Sequence, residues 1–547
     1  MKFLPCALAL LLTLLSAVAQ EHSSRAPAQT AILLSGMGNH HHPIATPSPQ
    51  AQRFFDQGMT LVYAFNYDEA VRSFDRASEL DPRSPMPHWG RALALGPNIN
   101  LDVDPEHEKA AYEAVQKALT LAPNAPEYER AYVQALARRY SIQPGADLRK
   151  LALDYKHAMG ELVRSYPDDL DAATLYAESM MDLYPWDLWA ADGRPTEFTE
   201  EIIDVLESVM KREPNHVGAN HYYIHAVEAS SHPEHALPSA ERLKTLVPGA
   251  GHLVHMPGHI YIRTGDYEGA ALSNEAAIQA DQAYFREIGY RPAFYSVMYS
   301  AHNFHFLVAA RAMQGRYADA RRAAKGLIAL VGDAVKDMPM GEFYLPTPLF
   351  VELRFNRWEE IMKVPEPDQR WVMTGAFWHY ARGVAFAARG DVTAAELERA
   401  AVAAAGARIA PDAIFGAYFN PAHKFVELAE DILDARIAQA RGDRAGAIEH
   451  WRKAVAVEDS LRYGEPPEWY YPVRESLGAA LFADGRYAEA AQAFRDDLER
   501  NPRNGRSLFG LMESLKAQKE LAGTEWVGRE FQKAWKNAHV TLRVSDL

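Results

Sequence analysis

From Ala51 onward the chain repeats one order of large and small residues, and that order leaves little freedom in the fold. In residues 51–84, Phe54, Gly58, Leu61, Ala70, Phe74, Ala77 and Pro82 place bulky and small side chains at helical spacing. Gly58 and Ala70 let two antiparallel helices approach closely, and Pro82 ends the second one. A unit of about 34 residues with this order is a helical hairpin that cannot bury its apolar face alone. Copies must therefore stack, so the expected fold is an all-α helical solenoid with insertions between repeats.

The order returns in residues 251–284 through Gly258, Tyr261, Gly265, Ala270 and Ala277, with Gly265, Asp266 and Tyr267 at the turn. Further turns are expected at 314–317, 389–391, 441–443 and 484–487. Back-counting places repeat starts near 51, 85, 136, 170, 217, 251, 301, 342, 376, 428, 471 and 505, with the weakest matches near 85, 136, 170 and 342. The wider steps mark insertions. One carries Tyr290, Tyr295 and Tyr299, and others hold FGAYFNPAHKF, RYGEPPEWYYP and PWDLWAADGRP; in stacked repeats such insertions tend to gather on the binding face. The chain then divides into a leader (1–19), an extended arm (20–50) with His40, His41 and His42, N-terminal repeats (51–216), His-rich central repeats (217–330) and C-terminal repeats (331–547).

The stretches HHHPIATPSPQAQRFF, FDQGMTLVYAFNYDEA, HWGRALALGPNIN, HYYIHAVEAS, GHLVHMPGHIYIR and EPPEWYYPVRESLGAALF span the chain. Together they resemble a family of exported bacterial tetratricopeptide repeat (TPR) proteins. The resemblance implies the repeat fold and an exported bacterial origin, and it hands over no reaction. Tetratricopeptide arrays generally bind peptides or proteins in a concave groove, which the second, fifth, ninth, twelfth and thirteenth positions of each first helix line.

In that register His221, His225 and Glu228 take the fifth, ninth and twelfth positions of their repeat, while His252, His255 and His259 take the second, fifth and ninth. His302 and His305 take the second and fifth. From 21 histidines in the chain, about 0.6 would fall on these positions by chance, and seven do. A groove filled with imidazole departs from the Lys, Arg and Asn expected for clamping peptide termini. Isolated histidines such as His88, His157, His216 and His450 read instead as surface or core residues. Glu178 and Asp182, four apart, are candidate ligands or bases, although a solvated helix face is the simpler account of them. Pro257 falls inside a first helix and predicts a kink between His255 and His259.

Composition narrows the chemistry. A formal charge of -15 argues against a nucleic-acid partner. Lys2, an apolar run through Leu15 and the small residues Ala17, Val18 and Ala19 read as a secretory signal, so a periplasmic or secreted protein beginning near Gln20 is expected, without a later membrane anchor. Cys6, the single cysteine, lies within that leader. Thiolate sites and disulfides are thereby excluded from the mature chain, leaving imidazoles and carboxylates as ligands for zinc, copper or iron.

Seven histidines and Glu228 exceed the ligand set of one zinc, so a dinuclear site, or one ion with spare histidines, is expected. The first functional reading is metal-dependent hydrolysis or redox chemistry on a small or extended ligand, with Glu228 as ligand or general base and Tyr290, Tyr295 or Tyr299 binding substrate. The alternatives are metal storage or delivery, and a scaffold for protein–protein interaction. The arm is either a loose tail or a segment that folds back to supply ligands. No phosphate loop, HExxH, CxxCH or GxSxG motif is present.

Overall fold

The computed structural model describes residues 30–547 except 101, 191–192, 417–419 and 470. The expected signal segment and Cys6 lie outside the described residues. The chain forms two compact units, one made of the residues through Ile260 together with Ala276–Tyr295, the other of Tyr261–Glu275 and Ser296–Leu547.

The first unit is built of paired antiparallel helices: Pro49–Tyr63 with Tyr67–Leu80, Met86–Leu95 with Pro105–Leu121, Glu127–Leu136 with Leu148–Ser165, Leu170–Met181 with Thr199–Arg212, and Val217–Val227 with Leu237–Leu246. The second repeats the pattern from Ala301–Met313 and Tyr317–Val331 to Gly505–Ala517 and Leu521–Ala534. Successive hairpins also pack on one another, so each unit is an all-α stack of tetratricopeptide-type hairpins. A two-residue antiparallel ladder, Ile414–Phe415 with Asn420–Pro421, is a minor exception.

The small residues of the repeat do what their size suggests. A Cβ on either Gly58 or Gly90 would collide with the Phe74 ring, which is fully buried between their helices. Phe494 is clasped in the same way by Gly478 and Gly510 in the second unit. Turn glycines such as Gly315, Gly390, Gly442 and Gly485 take positive φ between paired helices. In the first hairpin Phe65 stands at that turn position instead, at φ 56°, a conformation that costs an L side chain about 1–2 kcal/mol.

Two back-counted starts are misplaced: the one near 428 falls inside the helix Ala422–Ala440, and the other is near 136. The residue near 136 closes the helix Glu127–Leu136 and does not open a repeat, because the loop from 137 to 147 lengthens that hairpin and breaks the count. Pro257 does more than kink its helix. Gly251–His255 ends, and Pro257 opens Pro257–Arg263 as its first residue, where a missing N–H costs nothing.

From residue 30 onward the N-terminal arm is not a loose tail. Gln57 clasps it, accepting from the Leu34 N–H (2.7 Å) and donating to the Ile32 carbonyl (2.9 Å). The Gly36 carbonyl accepts from the Gly249 N–H (2.9 Å), and the Thr46 hydroxyl donates to Asp81 (2.8 Å). Among the described residues no helix is long and apolar enough to cross a membrane.

Candidate metal centre

Within the first unit, His221 and His225 project from Val217–Val227, Glu228 follows that helix directly, and His252, His255 and His259 come from the broken helix beyond it. All six side chains are buried, His225 being the most exposed at 7%.

The hydrogen bonds fix where the imidazole protons sit. His221 Nδ1 lies 2.7 Å from the Tyr63 carbonyl oxygen, which only accepts. His225 Nδ1 lies 2.7 Å from Glu228 Oε1, and His259 Nδ1 lies 2.5 Å from Glu228 Oε2. Burial would push the Glu228 carboxyl up, but His259 and His225 hold it well below the usual carboxylate range, so it too only accepts. All three imidazoles therefore carry a proton on Nδ1, so each ring, when neutral, presents its lone pair at Nε2.

Those lone pairs converge. His221 Nε2 is 3.1 Å from His225 Nε2 and 3.0 Å from His252 Nε2, and the ligand atoms of this trio all lie within 4.8 Å of one another. His259 Nε2 is 2.7 Å from His255 Nε2. Four donors around a tetrahedral zinc at 2.0–2.1 Å stand about 3.3 Å apart, close to the spacing of the trio. Protonation is not the remedy for the crowding: burial, then the charge of His225, drives His221 well below its ordinary pKa, and burial with His221 does the same to His252. His225 is also lowered, by burial working against Glu228.

Aromatic rings wall the trio. Phe65 lies 4.5 Å from His221 and 5.1 Å from His252, ring centre to ring centre, and Trp186 meets His225 edge-on at 5.3 Å. The unfavourable turn conformation of Phe65 thus coincides with its place against the imidazoles. Sequence reasoning passed over Phe65, although its position where other hairpins carry glycine was a readable signal. The Tyr63 carbonyl, being backbone, left none.

Glu228 is positioned to orient His225 and His259, a carboxylate behind imidazoles rather than a free base. His302 and His305 belong to the second unit; there His305 is buried, pushed down to about 3 by burial, and faces the ring edges of Phe343 and Tyr344. Tyr299 is buried in the same unit. Tyr295 donates to Asp281 (2.9 Å), and the Tyr290 hydroxyl accepts from Arg72 (2.7 Å).

The solvated face expected for Glu178 and Asp182 is not found. Glu178 is buried, the Asp182 side chain is only 4% exposed and is paired with Arg139, and Arg139 lies over the Tyr155 ring at 4.9 Å. Burial raises both carboxyls, Glu178 strongly and Asp182 to about 6 despite Arg139, so the pair holds a proton.

No protein-family model matches the chain, and no curated protein matches it. Among solved structures, the human IFIT1 dimer with m7Gppp-AAAA shares 12% identity over 90% of this chain and 91% of its own, at a TM-score of 0.33. Yeast Tom70 shares 13% over 88% of this chain and 92% of its own (TM-score 0.28), and the APC/C assembly Cut9–Hcn1 shares 12% over 91% and 96% (TM-score 0.28). Likenesses this faint add nothing to the hairpin packing, on which the fold assignment stands.

Proposed function

We propose that this helical-repeat protein is an exported metalloprotein that binds a divalent transition metal through His221, His225 and His252, with His255 and His259 beside them as ligands of a second ion or as spare bases. The observation that carries the reading is the proton inventory: Tyr63 O and both oxygens of Glu228 take the Nδ1 protons of three rings whose Nε2 atoms turn inward. Such backing of ligating imidazoles by carbonyl and carboxylate acceptors is the usual support of a metal site. An all-imidazole donor set suits zinc and copper, and iron after them.

A trio of histidines leaves a coordination position for water or substrate. Zinc there would lower the pKa of bound water to about 7 for hydrolysis, whereas copper or iron would support redox chemistry. Side chains no more than 7% exposed favour a small-molecule substrate over an extended peptide. The same burial favours a second reading, in which the ion is held for storage or delivery without turnover.

Elemental analysis of protein purified without an affinity tag tests the proposal. Zinc, copper or iron at one or more equivalents per chain is expected, falling by at least one equivalent in His221→Ala and His225→Ala. Protein that takes up neither Zn(II) nor Cu(II), or whose uptake is indifferent to both substitutions, would overturn it.

A further inference from the structure

The N-terminal arm builds a second constellation within the first unit. His40 Nε2 lies 3.3 Å from Asp171 Oδ1, and His216 Nε2 lies 3.2 Å from the same oxygen. Neither nitrogen makes a hydrogen bond, so its contact with Asp171 is an ion pair alone, although the side chains are only 8% and 4% exposed. The two rings stand 5.4 Å apart at 70°. The carboxylate itself is fixed from behind: His42 Nδ1 donates to Oδ2 (2.8 Å) and the Tyr63 hydroxyl donates to Oδ1 (2.5 Å).

Asp171 is buried, and its ionic partners among the described residues are imidazoles only. The positive charge a buried carboxylate requires comes here from protons on those imidazoles or from a cation that replaces them. Two imidazole nitrogens and one carboxylate oxygen, all within 4.8 Å of one another, form a donor set for such a charge, and spacings of 3.2 and 3.3 Å match those around a tetrahedral ion. Access is present as well. A cavity of about 990 Å³ is lined by His40, His42, Asp171 and His216, with Tyr128 and Asp169.

We propose that His40, Asp171 and His216 bind a second divalent transition metal, one ligand being delivered by the N-terminal arm while His42 and Tyr63 orient the carboxylate. His216 Nδ1 accepts from the Ala219 N–H (3.1 Å), so the metal takes the place of the proton this ring carries on Nε2. The ligands are disjoint from those around His221, and the two sites stand or fall separately. Binding here ties residues 30–48 to the helix that begins at Leu170 and to the residue that caps Val217–Val227.

The test uses the metal-free full chain carrying His221→Ala and His225→Ala, titrated with Co(II) and followed by visible absorption. One equivalent is expected to bind with tetrahedral absorption, and adding His40→Gln should weaken it at least tenfold. His41→Gln is the control, because His41 is exposed and paired with Asp56; it should leave the titration unchanged. Should the double variant fail to fold, His40→Gln in the otherwise unaltered chain should remove one equivalent from total uptake. Absence of Co(II) binding in the folded double variant, or titrations identical with and without His40→Gln and Asp171→Asn, would overturn the second site. Uptake indifferent to His221→Ala and His225→Ala but lowered by His40→Gln would overturn the first proposal and leave this one intact.

Discussion

Glu228 is the residue on which the His221 centre turns, because one carboxylate settles the protonation of two rings. Glu228→Gln preserves shape but replaces one acceptor oxygen with an amide donor, so at least one of His225 and His259 loses its anionic support. Zinc affinity, measured by competition with a chromophoric chelator, should fall about 10–100-fold while the fold persists. Glu69 offers a prediction about pH. Its buried carboxyl is raised from 4.5 to about 7 by desolvation, which Arg72 and the Tyr284 hydroxyl only partly offset. The native state then holds a proton that the unfolded chain has lost, so stability is full below pH 4.5 and drains away as pH climbs toward 7, by about 3 kcal/mol at most. Urea denaturation of Glu69→Gln across that window should show the slope removed. At this scale the histidine offsets were legible in the sequence, since helical spacing alone puts His221 and His225 on one face. The proton inventory was not, because it depends on Tyr63, 158 residues from His221 along the chain.

Elements carry the next layer of the site. The break between Gly251–His255 and Pro257–Arg263 lets His252, His255 and His259 turn differently than a continuous helix would, with the His259 N–H donating to Met256 O at 3.2 Å. Pro257→Ala restores a donor and permits an uninterrupted helix, removing a constraint that favours the native ring arrangement. The expected outcome is a melting temperature equal to or above that of the parent, with Zn(II) affinity lowered about tenfold, a trade of stability against function. A melt and a titration on the same preparation check both halves. The hairpins themselves were readable because Gly58, Phe74 and Gly90 obey a packing rule written in residue size. The misplaced start near 136 shows the limit of that rule: an extended loop inside one hairpin shifts the count without changing any helix's own signals. The arm was equally opaque, since nothing in HHHPIATPSPQ announces that His40 and His42 meet Asp171 and His216, which belong to later hairpins.

For the molecule as a whole, two compact units make metal binding a regional event. A ligand that binds only the native state stabilises it by about 2.7 kcal/mol when present at 100 times its Kd, and the gain protects those backbone amides whose opening would dismantle the site. Both proposed centres draw their ligands from the first unit. Hydrogen exchange read by mass spectrometry, with and without Zn(II), should therefore show slowing in peptides covering 217–228 and 251–260, and in the arm from 32 to 44 if His40 is a ligand. Peptides from Ala422–Ala440 and Arg444–Asp459, which contribute no ligand to either centre, should exchange alike in both conditions. In the His221→Ala and His225→Ala chain the slowing at 251–260 should vanish while that of the arm remains; the His40→Gln chain should show the reverse. Uniform slowing across all these peptides would instead mean that the metal acts on global stability and not through sites confined to one unit.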